Sequence, residues 1–176
     1  MNAERSKPML HIYTGDGKGK TTAAVGLAVR AAGAGMKVFF AQLMKNTPTA
    51  EAEVFKLLED RVTFRQFGTG EFVTGKPSDE DIVSAQNGFK EVEKAVRMGM
   101  YAVVVVDELC TALHWGLLDP RKVFRLVENY PEKTELVFTG RNATPDLVEK
   151  ADLVTEMREV KHYYEKGVEA RRGIEF

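Results

Sequence analysis

One cysteine, Cys110, occurs among 176 residues, so no internal disulfide holds this chain together. Neither charge is in surplus: 25 Lys and Arg stand against 26 Asp and Glu, a formal net charge of −1. No global basic field therefore draws the protein to nucleic acid or to an anionic membrane. No apolar run approaches the length of a bilayer-crossing helix, and the polar residues 1–8 contain no apolar core of a secretion signal. The expected location is cytoplasmic, with no nucleic-acid and no membrane partner. The three histidines, His11, His114 and His162, have no metal-ligand spacing with another His or with Cys110. No repeat or low-complexity linker divides the chain, and its length suits one domain. The expectation is a single domain over 1–176, with a short N-terminal segment (1–8) and an extended C-terminal tail (160–176).

What is present is an alternation of short apolar runs with amphipathic stretches. Strands are expected at 9–13, 37–42, 62–67, 101–106, 135–139 and 152–156, and helices at 20–32, 50–60, 79–98, 120–129 and 145–150. Asp119-Pro120 and Thr144-Pro145 each put a capping side chain before a proline at the first helical position. Ser78 with Asp81 resembles a capping box, and Gly99 marks where the long helix stops. The run Val103-Val104-Val105-Val106 is apolar at every position, as a strand covered on both faces requires. The fold class is therefore α/β: a mostly parallel central sheet of about six strands flanked by helices. Cys110 follows that strand in an apolar neighbourhood and reads as a small buried hydrophobe rather than a nucleophile.

Between the first strand and the first helix lies Thr14-Gly15-Asp16-Gly17-Lys18-Gly19-Lys20-Thr21-Thr22. Strand, glycine-rich loop and helix form the context in which G-x-x-x-x-G-K-[ST] becomes a phosphate cradle. Glycines let backbone N–H groups converge on phosphate oxygens, and the helix N-terminus adds a favourable dipole. Lys20 would supply a point charge and the Thr21 hydroxyl would bind Mg2+. Thr14 stands where the first glycine of the pattern belongs.

The second landmark is Asp107-Glu108, at the carboxyl end of the all-valine strand. Acids there suit a magnesium–nucleotide site. Two adjacent acids project in different directions, so one would address the metal or its water and the other a supporting partner. Arg141 also follows a strand's carboxyl end, where a guanidinium can grip phosphate. Loop and acids together indicate a magnesium nucleoside triphosphate, and leave open a small-metabolite kinase, a RecA-like ATP-binding module or a nucleotidyl or adenosyl transferase.

Further landmarks narrow the choice. They are Ala41-Gln42-Leu43-Met44-Lys45, Asp107-Glu108-Leu109, Thr139-Gly140-Arg141-Asn142-Ala143, Ala151-Asp152-Leu153-Val154-Thr155-Glu156-Met157, Lys161-His162 and Gly173-Ile174-Glu175-Phe176. Together with the loop, from Met9 to Phe176, the chain resembles the ATP:corrinoid adenosyltransferase family, whose own loop lacks the first glycine. The resemblance implies a P-loop (RecA-like) architecture and transfer of the 5′-deoxyadenosyl group of ATP to Co(I) of a corrinoid, either cobalamin or cobyrinic acid a,c-diamide. It implies that triphosphate leaves intact, and that the phosphates are turned so that C5′ faces the corrinoid. Its catalytic residues would be Lys20, Asp107 and Glu108. ATP would lie against residues 14–22 and Arg141, and Mg2+ against Thr21, Asp107 and Glu108. An aromatic of the loop after the third strand, here Phe72, would touch the corrinoid, although the tryptophan that often accompanies it is absent. An electron donor such as a flavodoxin-type reductant and a homodimer are implied as partners.

Overall fold

A computed structural model describes residues 8–70 and 75–176. Six strands make one sheet: β1 (Leu10–Thr14), β2 (Val38–Leu43), β3 (Val62–Phe67), β4 (Val103–Asp107), β5 (Glu135–Thr139) and β6 (Leu153–Glu156). Their order is β3-β2-β4-β5-β1-β6 and every pairing is parallel. The helices are α1 (Lys20–Gly33), α2 (Ala50–Leu57), α3 (Asp79–Met98), α4 (Leu109–His114), α5 (Pro120–Glu128) and α6 (Pro145–Lys150). The expected strands and helices all form, most of them shifted at their ends by a residue or two. Among the described residues no helix is long and apolar enough to cross a membrane.

The period-two alternation of the strands divides the apolar residues between two cores. Val103 and Val105 of β4 pack with Val38 and Phe40 of β2 against the alanines of α1 (Ala24, Ala28, Ala31 and Ala32). Val104 and Val106 face the other way, into a larger cluster with Phe39, Ala41, Phe138 and the apolar stripes of α3, α4 and α5. The uninterrupted valine run is thus explained by helices on both faces. Alanine at the buried positions of α1 brings that helix close to the sheet. Gly88 does the same in α3, where an added Cβ would meet Leu43 Cδ2 and Phe67 Cγ, each at 2.7 Å.

Helix ends follow their local signals. Ser78 and Asp81 complete a reciprocal capping box on α3, and Gly99 closes that helix in the left-handed region. The Asp119 and Thr144 side chains accept from Arg121 N and Leu147 N, at the first turns of α5 and α6. Two short elements were not expected. Helix α4 starts from Glu108 with φ 63° and no side-chain cap, so nothing in the local sequence announces it. A 3-10 turn, Tyr163–Lys166, lies within the tail.

Strand β5 lies between β1, which carries the glycine loop, and β4, which carries the acids. The carboxyl ends of all three converge on one rim of the sheet, and the candidate site is built there.

Candidate active site

The glycine loop leaves β1 at Thr14 and enters α1 at Lys20. Gly15 (φ 95°) and Gly19 (φ 121°) occupy backbone conformations that a side chain resists. Gly15 is also crowded: a Cβ there would come within 2.5 Å of Met157 O. Met157 follows β6 and donates its N–H to Thr14 O at 2.8 Å, while its own carbonyl accepts from Gly17 N at 2.7 Å. The Gly17 amide, expected at a phosphate, is thus bonded to the chain instead.

Lys20 arches back over this loop. Its Nζ donates to Gly15 O and Gly17 O, both at 2.7 Å. Burial, and secondarily Arg141, hold its pKa below the ordinary lysine value. The desolvated, fixed ammonium is placed to meet an anion. Lys18, by contrast, donates its ammonium to Tyr163 and Glu175 of the tail.

Asp107 ends β4 with no solvent exposure and accepts four side-chain hydrogen bonds. Thr21 Oγ1 (2.9 Å) and Thr139 Oγ1 (2.6 Å) donate to Oδ1. Gln42 Nε2 (3.2 Å) and Lys45 Nζ (2.9 Å) donate to Oδ2. The Thr21 proton is thereby directed at Asp107, leaving the lone pairs of its oxygen outward. Burial works against the charge of Lys45, but Asp107 and then Glu108 outweigh it and raise that ammonium's pKa. Lys45 is a permanent counter-charge to Asp107.

Glu108 turns away from its neighbour because its left-handed backbone redirects the chain into α4. Its N–H donates to Thr139 Oγ1 at 3.0 Å, and its Oε2 accepts from Thr111 Oγ1 at 2.6 Å. Burial and then Asp107 push its carboxyl pKa up. The two acids are therefore differently engaged. Asp107 is enclosed by donors, while Glu108 keeps one oxygen, Oε1, outside these bonds.

Hydroxyl and carboxylate oxygens at Thr21 and Glu108 are hard donors of the kind that suit Mg2+. Among the described residues no group of three or more His, Cys, Asp or Glu could hold a metal alone. An ion here would share its coordination with substrate phosphates and water, which is how Mg2+ is commonly bound. The donor set fits.

Arg141 follows β5 at the mouth of the site. Its main-chain N–H bonds Thr111 Oγ1 at 3.0 Å, and its guanidinium reaches Asp16 O at 3.3 Å and Asp16 Oδ1 at 3.9 Å. Thr14 Oγ1 accepts from Ala143 N at 3.4 Å, joining the loop to the same segment, and Thr22 is an exposed residue of α1's first turn. Phe72 lies outside the described residues. Gln42, Lys45 and Thr139 stood in the landmark motifs without an assigned role, and Thr111 was not named from the sequence. Gln42, Lys45 and Thr139 obey the rule that picked Arg141, since each lies at or just past a strand's carboxyl end. Cys110 is buried, and burial pushes its thiol up to about 12, as suits a core residue rather than a nucleophile. His11 Nδ1 is buried without a hydrogen-bond partner, while its Nε2 lies 3.5 Å from Glu135 Oε2.

The chain matches known proteins over almost its whole sequence. A family model described as ATP:corrinoid adenosyltransferase BtuR/CobO/CobP matches residues 6–176. A corrinoid adenosyltransferase of Pseudomonas aeruginosa is 34% identical over 99% of this chain and 86% of its own length. One from a Sinorhizobium species is 35% identical over 97% of this chain and 81% of its own, and one from Escherichia coli K12 is 32% identical over 99% and 88%. The chain belongs to the ATP:corrinoid adenosyltransferase family.

Proposed function

We propose that this enzyme transfers the 5′-deoxyadenosyl group of ATP to the Co(I) centre of a corrinoid, cobalamin or cobyrinic acid a,c-diamide, with Lys20, Thr21, Asp107 and Glu108 serving the triphosphate. The observation that carries this reading, beside the family, is the convergence of a desolvated ammonium, a hydroxyl and two differently engaged acids on one rim. The electron pair of Co(I) forms the new bond to C5′. The C5′–O bond breaks, and its pair leaves with triphosphate. The nucleophile arrives with the substrate, so the protein's task is to stabilise the leaving group and to orient C5′.

Lys20 compensates the charge that grows on the departing triphosphate, helped by the loop amides other than that of Gly17 and by Arg141. Mg2+, held by Thr21 and Glu108, would supply further positive charge to the phosphate oxygens. Asp107 fixes Thr21 and Lys45 in place. Thr14 and Asp16 shape the loop's approach to Ala143 and Arg141. Phe72 is assigned to the corrinoid by family resemblance. We extend the reading to one domain over residues 1–176, to a homodimer, and to a flavodoxin-type reductant that maintains Co(I). The reducing cytoplasm suits both that cobalt state and a lone unpaired cysteine.

The product decides between this reading and a kinase. With ATP, Mg2+ and chemically reduced cobalamin, the expected products are a light-sensitive alkylcobalamin and free triphosphate in equal amounts. ADP with a phosphorylated product would establish the kinase instead. Glu108→Gln tests the metal assignment. It should raise the Mg2+ concentration for half-maximal activity by at least about tenfold, the lower bound seen even for outer partners of metal ligands. An unchanged metal titration would remove Glu108 from the site.

A further inference from the structure

The tail returns to the phosphate loop and grips it. After β6 the chain passes Gly15 and Gly17 so closely that a Cβ on Gly17 would come within 2.8 Å of Arg158 C. Beyond the 3-10 turn, Gly167 and Gly173, both at φ 77°, redirect the backbone. Glu175 is thereby brought to Lys18, 157 residues away in sequence.

Four groups converge on the Glu175 carboxylate. Lys18 Nζ donates to it at 2.7 Å, Arg171 N at 2.7 Å and the Arg171 guanidinium at 3.3 Å, and the Tyr163 hydroxyl also donates to it. Lys18 donates in turn to Tyr163 OH at 2.9 Å. The Tyr163 ring lies 5.7 Å from the Lys18 ammonium and 5.1 Å from the Arg171 guanidinium, within cation–π reach of both. Only 16% of the Glu175 side chain is exposed, one residue from the last position of the chain. Lys18, then Tyr163 and Arg171, hold its carboxyl well below the usual carboxylate range.

The loop is therefore held by its tail twice: through the Gly17 amide on Met157, and through the Lys18 ammonium on Glu175. A glycine-rich loop loses much conformational freedom on ordering. Fixing it beforehand moves that cost from ligand binding to folding.

We propose that the Lys18–Tyr163–Glu175 cluster is a clasp by which residues 157–176 hold the phosphate loop in its ATP-binding shape, with Glu175 as a positioning residue. The inference rests on reading the loop as the ATP site. Lys18 then serves as the anchor of the tail, and Lys20 as the cation for phosphate.

The test compares the wild-type protein with Glu175→Gln, Glu175→Asp and Glu165→Gln, the last an exposed position on the 3-10 turn. ATP binding is measured by calorimetry, amide exchange of residues 15–19 is followed without nucleotide, and KM and kcat are determined at saturating corrinoid. Glu175→Gln should weaken ATP binding and raise its KM about fivefold, the upper range for partly exposed ion pairs. Its kcat should stay within roughly twofold, because Glu175 touches no reacting atom. Loop exchange should quicken, Glu175→Asp should recover part of the loss, and Glu165→Gln should match wild type. Normal ATP binding with unchanged loop exchange in Glu175→Gln would overturn the clasp, as would a loss confined to kcat. Failure of the wild-type protein to bind ATP would instead sink the assigned function, and the exchange comparison alone would then decide the clasp.

Discussion

Lys20→Ala is expected to reduce kcat/KM by about a thousandfold, the upper range for removing one pre-oriented charge or donor from a developing anion. The basis is the ammonium's fixed position. Two loop carbonyls, Gly15 O and Gly17 O, hold it at 2.7 Å, and burial has already removed part of its water. Little reorganisation is then required when the triphosphate begins to leave. Alanine should cost about 1 kcal/mol of stability, because Gly17 O belongs to a buried residue and loses its donor, whereas Gly15 O lies in a partly exposed one. Triphosphate release and thermal unfolding measured on one preparation separate the two effects. A loss below about tenfold would place the leaving-group charge elsewhere, with Lys45 the next cation to examine.

Asp107→Ala should act mainly on the fold. The side chain has no solvent exposure and receives Thr21, Thr139, Gln42 and Lys45. Removing it leaves an ammonium and three polar groups without their acceptor, which costs about 3–5 kcal/mol. Lys45, with 28% of its side chain exposed, can partly rehydrate, which places the expectation near the lower limit. Denaturant unfolding measures it. Asp107→Asn should be milder, since the amide oxygen still accepts from Thr21 and Thr139. A neutral alanine variant would mean that the network contributes no net stability.

These two residues also mark how far local sequence carried. The loop, the acids and the carboxyl-end position of Arg141 were legible because each depends on neighbours in sequence: a strand, a turn and a helix start. The same holds for α3, bounded by Ser78 and Gly99, and for the valine run. Helix α4 escaped because its first residue is a left-handed glutamate without a cap, and its apolar residues continue those of β4. Gln42 and Lys45 escaped as partners of Asp107 because that contact depends on β2 lying next to β4, a matter of sheet order. The tail's hold on Lys18 was least legible of all. It joins residues 145 and 157 positions apart, and no periodicity encodes such a return.

The position of β1 has one more consequence. Among the described residues its strand partners are β5 and β6, the last two strands. During synthesis from the amino end, β2, β3 and β4 can pair before residue 110 is complete, while the earliest strand waits until residue 135 and beyond. The phosphate loop, made first, acquires its shape last. A ribosome-bound fragment ending after β4 should carry a formed half-sheet and no nucleotide affinity, so ATP reports the arrival of β5 and β6.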